Sequence, residues 1–255
     1  MNANEIHLWT AFLSAGADEF AYLYETLSPD ERKRAQAFRF ERHRTFFAIG
    51  RSLLRSILGW YLGCAARDIV FRYGPKGKPT LDNCKPTLHF NLAHSEDYVV
   101  YAVSGGTELG IDVEWVRPMP DIESIARSFF SPGECADLFN LPADKRLEAF
   151  FNCWTRKEAY VKAVGDGLSA PLDRFQVSLI PGQHAIFLKL LDNRYPISNW
   201  SLFHLLPSEG YIGALAIPLR SASLRWRSFR DASECLVHIH GAPGDDYSLC
   251  HRASF

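Results

Sequence analysis

WTRKEAYVK, the sequence at residues 154–162, combines helical spacing with a cluster of charged side chains. On a helix of about 3.6 residues per turn, Trp154, Glu158 and Lys162 lie on one narrow stripe, with Lys157 beside it. The spacing therefore predicts a helix that presents a tryptophan, an acid and one or two amines to the same neighbouring element.

GIDVE, at residues 110–114, is typical of a strand with two acids on one face. Side chains alternate between the two faces of a strand, so Asp112 and Glu114 are expected to point the same way. If the fold brings this strand against the helix, these two acids and Glu158 meet one or two ammonium groups. The two stretches together predict a metal and phosphate site.

The predicted site has the chemistry of magnesium and phosphate. Asp112, Glu114 and Glu158 offer only hard oxygen ligands, which suit Mg²⁺ better than zinc, copper or iron. Mg²⁺ held by carboxylates neutralises charge on a leaving diphosphate, and Lys157 and Lys162 would face the phosphate oxygens. Glu158 is also the favoured acceptor for the proton of an attacking hydroxyl. The residues predict phosphoryl transfer.

Each part of this pattern also has an ordinary structural explanation. An exposed strand face often carries two acids, and Glu158 with Lys162 has the spacing of a helical salt bridge. A lysine such as Lys78, in the Gly/Pro loop GKP, is usually solvated, and a single histidine such as His94 is more often structural than functional. The combination of the acids strengthens the hypothesis of a metal site, since Trp154 is expected to anchor the acidic side of the helix against the core.

Composition limits the classes of protein to consider. The chain has 255 residues, 47% of them hydrophobic, enough for one large domain or two small ones. Its 28 basic and 29 acidic residues give a net charge of -1, so no general attraction to nucleic acid or to an anionic membrane is expected. The sequence shows no signal peptide and no long apolar run, which predicts a cytoplasmic protein. Its six cysteines include no C-x-x-C pair, so reduced thiols are predicted.

Periodicity predicts two halves, each with a long helix followed by strands. The long helices are expected at about residues 42–62, with Arg44, Arg51 and Arg55 on the polar side, and at about 143–164. The predicted strands are residues 69–73, 87–91, 98–103 and 109–113 after the first long helix, and 175–180, 185–191, 200–206 and 211–217 after the second. The boundary falls near residues 105–110, and no sustained periodicity follows residue 221.

Five motifs, taken in order, resemble the Sfp-type 4'-phosphopantetheinyl transferases. They are GKP at 77–79, FNLAHS at 90–95, GIDVE at 110–114, the helix at 154–162 and GDGLSAPL at 165–172. The resemblance covers the chain to about residue 218. It implies transfer of 4'-phosphopantetheine from coenzyme A to a serine of an apo acyl or peptidyl carrier protein, with Mg²⁺ and release of adenosine 3',5'-bisphosphate.

The resemblance also implies an α+β fold of two similar lobes in pseudo-twofold arrangement, with the active site at their interface. Residues 1–108 would form an N-terminal lobe for the nucleotide end of coenzyme A, and residues 109–220 a C-terminal lobe for the metal and diphosphate. Residues 221–255 are left as a C-terminal appendage of unknown order. A monomer is expected, because two lobes supply what shorter relatives build from neighbouring subunits.

By the same resemblance, Asp112, Glu114 and Glu158 would hold the metal, and Glu158 or a metal-bound water would take the serine proton. Lys162 would contact the diphosphate as a second catalytic residue, and Lys157 would help to bind it.

Four further residues would bind the nucleotide end of coenzyme A, including its 3'-phosphate: Arg34, Arg44, Lys78 and His94. Arg32 and Lys33 are neighbouring candidates for the position of Arg34. One departure from the family pattern is Ala93, where the family often has serine. Its absent hydroxyl is expected to weaken coenzyme A binding by roughly 1 kcal/mol, or twice that for a charged acceptor.

Two other functions remain open from the sequence. One is a noncatalytic module that binds coenzyme A or carrier proteins, and the other is a different Mg²⁺-dependent nucleotide enzyme acting on ATP or GTP. Neither nucleic acid nor a membrane is expected as a partner. Whether the carrier serves fatty acid, polyketide or nonribosomal peptide synthesis also stays open.

Overall fold

The structure, a computed structural model, describes residues 2, 4–82, 88–165, 171–190 and 195–240. Its helices are α1 (Ala17–Glu25), α2 (Pro29–Gln36), α3 (Glu41–Leu62), α4 (Ile122–Phe129), α5 (Pro132–Asn140), α6 (Ala143–Val164) and α7 (Ala232–His240). Its strands are β1 (Glu5–Phe12), β2 (Phe71–Tyr73), β3 (Pro79–Leu81), β4 (His89–Ser95), β5 (Tyr98–Ser104), β6 (Gly110–Trp115), β7 (Gln176–Val177), β8 (Phe187–Lys189), β9 (Ser201–Leu205), β10 (Tyr211–Ile217) and β11 (Ser223–Ser228). The α+β class expected from the sequence is confirmed.

Two sheets form the centre of the molecule. The first has the strand order β11-β1-β5-β4, in which β1 runs antiparallel to β5 and parallel to β11. The second has the order β6-β10-β9 and is antiparallel throughout. Two short hairpins, β2-β3 and β7-β8, lie outside them. β7 is shorter than predicted because the register shifts between Gln176 and Val177.

Strand β1 is buried on both faces. Trp9 and Ala11 pack in a cluster with α3, whereas Ile6 and Leu8 belong to another cluster that also holds Ile111 of the second sheet. The first sheet is therefore a middle layer, with α3 on one side and the second sheet on the other. The second sheet is covered in turn by α6, and the apolar cluster between the two sheets takes residues from both halves.

Helix α3 is buried on the side where arginines predicted a polar face. Arg55 is only 2% exposed, and its Nε donates to Oε2 of Glu31 at 2.6 Å. The same guanidinium donates to the backbone oxygens of Ala66 and Ile69, and Arg51 lies 3.5 Å from the other oxygen of Glu31. These arginines thus tie α2 to α3 instead of facing solvent.

We expect Glu31→Gln to lower the free energy of unfolding by about 3–5 kcal/mol, because the buried Arg55 guanidinium would lose its counter-charge. Urea denaturation measures the change. Glu123→Gln is the matched control, since Glu123 pairs with Arg127 at the surface, where both side chains are more than 60% exposed. That substitution should cost less than about 1 kcal/mol. Equal effects of the two substitutions would contradict the prediction.

The described part of the C-terminal segment belongs to the first sheet. Strand β11 lies beside β1 in parallel register, from Glu5 opposite Ser223 to Thr10 opposite Ser228. Helix α7 then packs against the core beside α3 through Ala232, Cys235, Leu236 and Ile239. Residues 223–240 are therefore part of the first sheet and of the core beside it, and they do not form a separate appendage. Residues 241–255 lie outside the described ranges.

None of the helices in the described ranges has the length and apolar character that a bilayer crossing requires.

Candidate active site

Gly110 allows β6 and α6 to lie in direct contact. A Cβ atom at this position would overlap the backbone oxygen of Ala159 and the backbone nitrogen of Ala163. The absence of a side chain therefore lets the helix rest on the strand. This close approach brings Glu158 and Lys162 of α6 next to Asp112 of β6, as the sequence predicted.

Asp112 and Lys162 form an ion pair at this contact, with 2.7 Å between Oδ1 and Nζ. The Asp112 side chain is only 7% exposed, and its other oxygen, Oδ2, is buried without a hydrogen-bond partner. Burial raises the pKa of Asp112 to about 6, the Lys162 ammonium opposes this shift, and the charge of Glu114 adds to it. Asp112 is thus a buried carboxylate with one oxygen still to be satisfied.

Glu158 shares the same electrostatic environment. Burial raises the pKa of its carboxyl group, the negative charge of Asp112 raises it further, and the Lys162 ammonium lowers it. Glu114 is held differently, since one of its oxygens accepts a hydrogen bond from Oγ of Ser95 at 2.8 Å. We call Asp112, Glu114 and Glu158 the acidic cluster.

The acidic cluster fits a hard divalent cation by its donor atoms and by the unsatisfied Oδ2 of Asp112. In the part of the chain that the structure describes, no three His, Cys, Asp or Glu side chains lie close enough to hold a cation as they stand. In this arrangement Nζ of Lys162 occupies Oδ1 of Asp112. The three acids therefore share a charge environment but not one coordination shell.

Lys78, from the connection between β2 and β3, reaches the end of α6. Its Nζ donates to the backbone oxygen of Lys162 at 2.8 Å and lies 3.4 Å from both the oxygen of Ala163 and a carboxylate oxygen of Glu108. Burial lowers the pKa of this amine, against the effect of Glu108. An ammonium is well placed there because the last carbonyl groups of a helix lack intrahelical donors.

His94 lies between the two long helices. The residue is exposed, yet its surroundings lower the pKa of the imidazole, first by excluding water and then through the positive charges of Lys162 on α6 and His43 on α3. Both positive charges oppose protonation of the ring. His94 is thus within electrostatic range of Lys162.

Arg34 and Arg44 lie on the α2–α3 side of the molecule. The exposed Arg34 guanidinium stands 5.1 Å from the ring centre of Phe47, and Nε of Arg44 is buried without a hydrogen-bond partner. Both residues stay predicted anion ligands. They lie on the α2–α3 side of the molecule and not at the contact of α6 with β6.

Lys157 does not reach the site, and its predicted contact with the diphosphate is contradicted by the structure. Its side chain has no exposed surface, and its Nζ donates to the backbone oxygens of Leu172 and Phe175 at 2.7 Å each and pairs with Glu134 at 2.8 Å. One helical step of about 100° turns residue 157 away from Glu158. Its amine instead fastens α6 to the segment that begins with Leu172.

Two residues of β4 that carried no role in the sequence prediction join the two sheets. Asn91 Oδ1 accepts from the backbone nitrogen of Ile111 at 2.9 Å, and Ser95 Oγ accepts from that of Trp115 at 3.0 Å. The sequence feature that could have indicated this role is that Asn91 and Ser95 are polar and lie on the same strand face as Ala93. Ala93 itself is 5% exposed, and the expected weakening of coenzyme A binding by its absent hydroxyl stays a prediction.

We expect Gly110→Ala to reduce both turnover and the free energy of unfolding, because the new methyl group would meet backbone atoms of α6. The added methyl group would force α6 away from β6 and so separate Lys162 and Glu158 from Asp112. Thermal unfolding and steady-state kinetics on the same preparations measure the two effects. Gly182→Ala serves as a control for stability alone, because its φ of 77° strains an alanine in a distant turn. A folded Gly110→Ala variant with full turnover would refute the proposed contact.

Two family models match the chain. The 4'-phosphopantetheinyl transferase superfamily matches residues 108–216, and the N-terminal region of 4'-phosphopantetheinyl transferase matches residues 13–105. HetI of Nostoc sp., a 4'-phosphopantetheinyl transferase, is 40% identical over 217 residues, which are 84% of this chain and 88% of HetI. The 4'-phosphopantetheinyl transferase psf-1 of Bacillus pumilus is 37% identical over 180 residues, 69% of this chain and 74% of psf-1. Sfp of Bacillus subtilis is 36% identical over 155 residues, 60% of this chain and 66% of Sfp.

The chain therefore belongs to the 4'-phosphopantetheinyl transferase family. It is an enzyme of the class that transfers 4'-phosphopantetheine from coenzyme A to carrier proteins, and the family and activity predicted from the sequence are confirmed.

Proposed function

We propose that this transfer takes place where α6 crosses β6, with the acidic cluster binding Mg²⁺ and Lys162 binding the diphosphate of coenzyme A. The observation that carries the proposal is the state of Asp112: one oxygen pairs with Lys162 and the other is buried without a partner, beside two further carboxylates. Mg²⁺, when bound there, would supply positive charge that stabilises the 5'-phosphate of the leaving adenosine 3',5'-bisphosphate.

Glu158 is the proposed general base. Its carboxyl group lies next to Asp112, and burial together with that negative charge raises its pKa, which makes the carboxylate a better proton acceptor. The serine hydroxyl of the carrier loses its proton to Glu158 as its oxygen bonds to the phosphorus that bears the pantetheine arm. The bond from that phosphorus to the bridging oxygen breaks, and adenosine 3',5'-bisphosphate leaves.

Lys162 is proposed to neutralise the diphosphate through its Nζ. The side chain is 29% exposed, so the amine that now pairs with Asp112 is accessible to a bound anion. Lys78, whose amine donates to the backbone oxygen of Lys162, and His94, whose pKa the Lys162 charge lowers, are proposed to bind the nucleotide end of coenzyme A. Arg34 and Arg44 are proposed to contribute positive charge from the α2–α3 side. Lys162 and these four residues would then surround a ligand that carries three phosphate groups.

A monomer is proposed as the active form. The acidic cluster comes from β6 and α6, and the residues proposed to contact the nucleotide come from α2, α3, the β2–β3 connection and β4 of the same chain. One chain thus supplies every residue of the proposed site. Light scattering during size-exclusion chromatography tests this, and a stable dimer under assay conditions would contradict it.

The test of the function is a mass-shift assay. The purified chain is incubated with coenzyme A, Mg²⁺ and each of a panel of apo acyl and peptidyl carrier proteins. The expected result is the gain of one phosphopantetheine group on at least one carrier, abolished by EDTA and restored by excess Mg²⁺. Binding of coenzyme A without any mass gain would instead indicate a noncatalytic module, and turnover of ATP or GTP without coenzyme A would indicate another nucleotide enzyme.

A further inference from the structure

Strands β4 and β6 lie side by side but belong to different sheets, and side chains bridge them. Asn91 and Ser95 of β4 accept hydrogen bonds from the backbone nitrogens of Ile111 and Trp115, at 2.9 and 3.0 Å. The two bridges are four residues apart on each strand, and both bridging side chains are buried, at 7% and 8% exposure. They replace the backbone ladder that would otherwise join the halves.

Within the ranges that the structure describes, the Ser95 bridge has a second partner that the Asn91 bridge lacks. Its hydroxyl accepts from the Trp115 nitrogen and donates its only proton to Oε2 of Glu114 at 2.8 Å. A hydroxyl has one donor, so the direction of this chain of hydrogen bonds is determined by the backbone of β6. The bond to a carboxylate is of the stronger, charge-assisted kind, and it restricts the rotation of Glu114.

Joining the strands does not require this second contact. Asn91 makes the same kind of bridge to the backbone of β6 without touching a carboxylate. The contact of Ser95 with Glu114 therefore serves the acid rather than the sheet.

We propose that Ser95 is a positioning residue, whose hydroxyl orients Glu114 for binding of the divalent cation. The proposal rests on the proposed function of the acidic cluster. Hydrogen-bond partners of metal-binding side chains typically account for about 10- to 100-fold in metal affinity or activity. Loss of the Ser95 hydroxyl leaves Glu114 free to rotate and is expected to weaken the cation site by about 10-fold.

The experiment is calorimetric titration of Mg²⁺ into the protein with coenzyme A bound, for the parent chain and three variants. Ser95→Ala is expected to raise the Kd for Mg²⁺ about 10-fold, and Ser95→Thr, which keeps a hydroxyl, to restore most of the affinity. Asn91→Ala is the matched control, because it breaks the other bridge without touching an acid. It is expected to lower the Tm while leaving the Kd for Mg²⁺ close to that of the parent.

The outcomes separate this inference from the function on which it rests. A parental Kd in a folded Ser95→Ala variant, or an equal loss of affinity in Asn91→Ala, would show that Ser95 only joins the strands and would overturn the inference. Glu114→Gln supplies the remaining distinction. If it leaves Mg²⁺ binding unchanged, or if the parent chain does not bind Mg²⁺, the cation assignment itself fails, and the role of Ser95 fails with it.

Discussion

Glu158→Gln is expected to lower kcat by about 10²–10⁴-fold, the usual contribution of a general base, with little change in the KM for coenzyme A. The amide keeps the shape of the side chain but cannot take the proton of the attacking serine. It also removes one negative charge from a cluster in which burial and Asp112 already raise the pKa of Glu158. Single-turnover transfer to a purified apo carrier measures the effect directly.

Glu148→Gln is the matched control for this prediction. Glu148 lies on the same helix, α6, ten residues before Glu158, and the substitution makes the same change of acid to amide. Parental turnover is expected, since no contact joins residue 148 to the acidic cluster in the described structure. Full activity of Glu158→Gln at saturating Mg²⁺ would remove Glu158 from the mechanism, whereas an equal loss in both variants would point to damage to α6.

Deletion of residues 222–255 is expected to cost on the order of 5 kcal/mol of folding free energy or more, a large part of the stability of an ordinary domain. Strand β1 would lose its parallel partner β11, and the core around α3 would lose the buried side chains of α7. Trp9 would lose its contacts with Phe229 and His238. Urea denaturation monitored by tryptophan fluorescence is the measurement.

Point substitutions on α7 keep this prediction testable if the deleted chain does not fold. Leu236→Ala is expected to cost about 2–5 kcal/mol, because the side chain is only 7% exposed within the core. Val237→Ala, on the same helix, should cost under about 0.5 kcal/mol, since Val237 is 72% exposed. A deletion variant with the parental urea midpoint would show that the C-terminal segment is dispensable for the first sheet.

The predicted effect of the deletion concerns which residues complete the first half of the enzyme. The family models end at residue 216, and the resemblance found in the sequence ends near residue 218. The first sheet nevertheless takes its outer strand from residues 223–228, after the chain has completed the second sheet. A shortened chain that ends with the second sheet would therefore leave β1 as an exposed edge.

Local periodicity was sufficient for the two long helices and for the main strands. Helix α6 has the bounds that its spacing and Gly165 predicted, and α3 begins one residue before the prediction. The alternation of Asp112 and Glu114 placed both on one face of β6, and the helical stripe placed Glu158 and Lys162 together. These relations depend only on the geometry of a single strand or helix.

Such local patterns could not predict contacts between segments that are far apart in the sequence. Lys157 and Lys162 are both lysines of one helix, but Lys157 pairs with Glu134 in the interior whereas Lys162 pairs with Asp112 at the site. The residues of β11 alternate between polar and apolar, with Leu224 and Trp226 on either side of Arg225, but this outer strand is largely exposed and is identified by its pairing with β1. Glu134, Asp112 and β1 all lie far in the sequence from the residues that they contact, so spacing could not predict these contacts.

The amino-acid sequence by itself determined which side chains share a face: the acids of β6, the acid and amine of α6, and the glycine that permits their approach. The tertiary structure alone decided which of these faces meet, which lysine is buried, and that Ser95 holds Glu114 across the boundary between sheets. The physical reason is that the periodicity of an element is a local property of the backbone. Burial, charge pairing and pKa depend on which other elements exclude water from it.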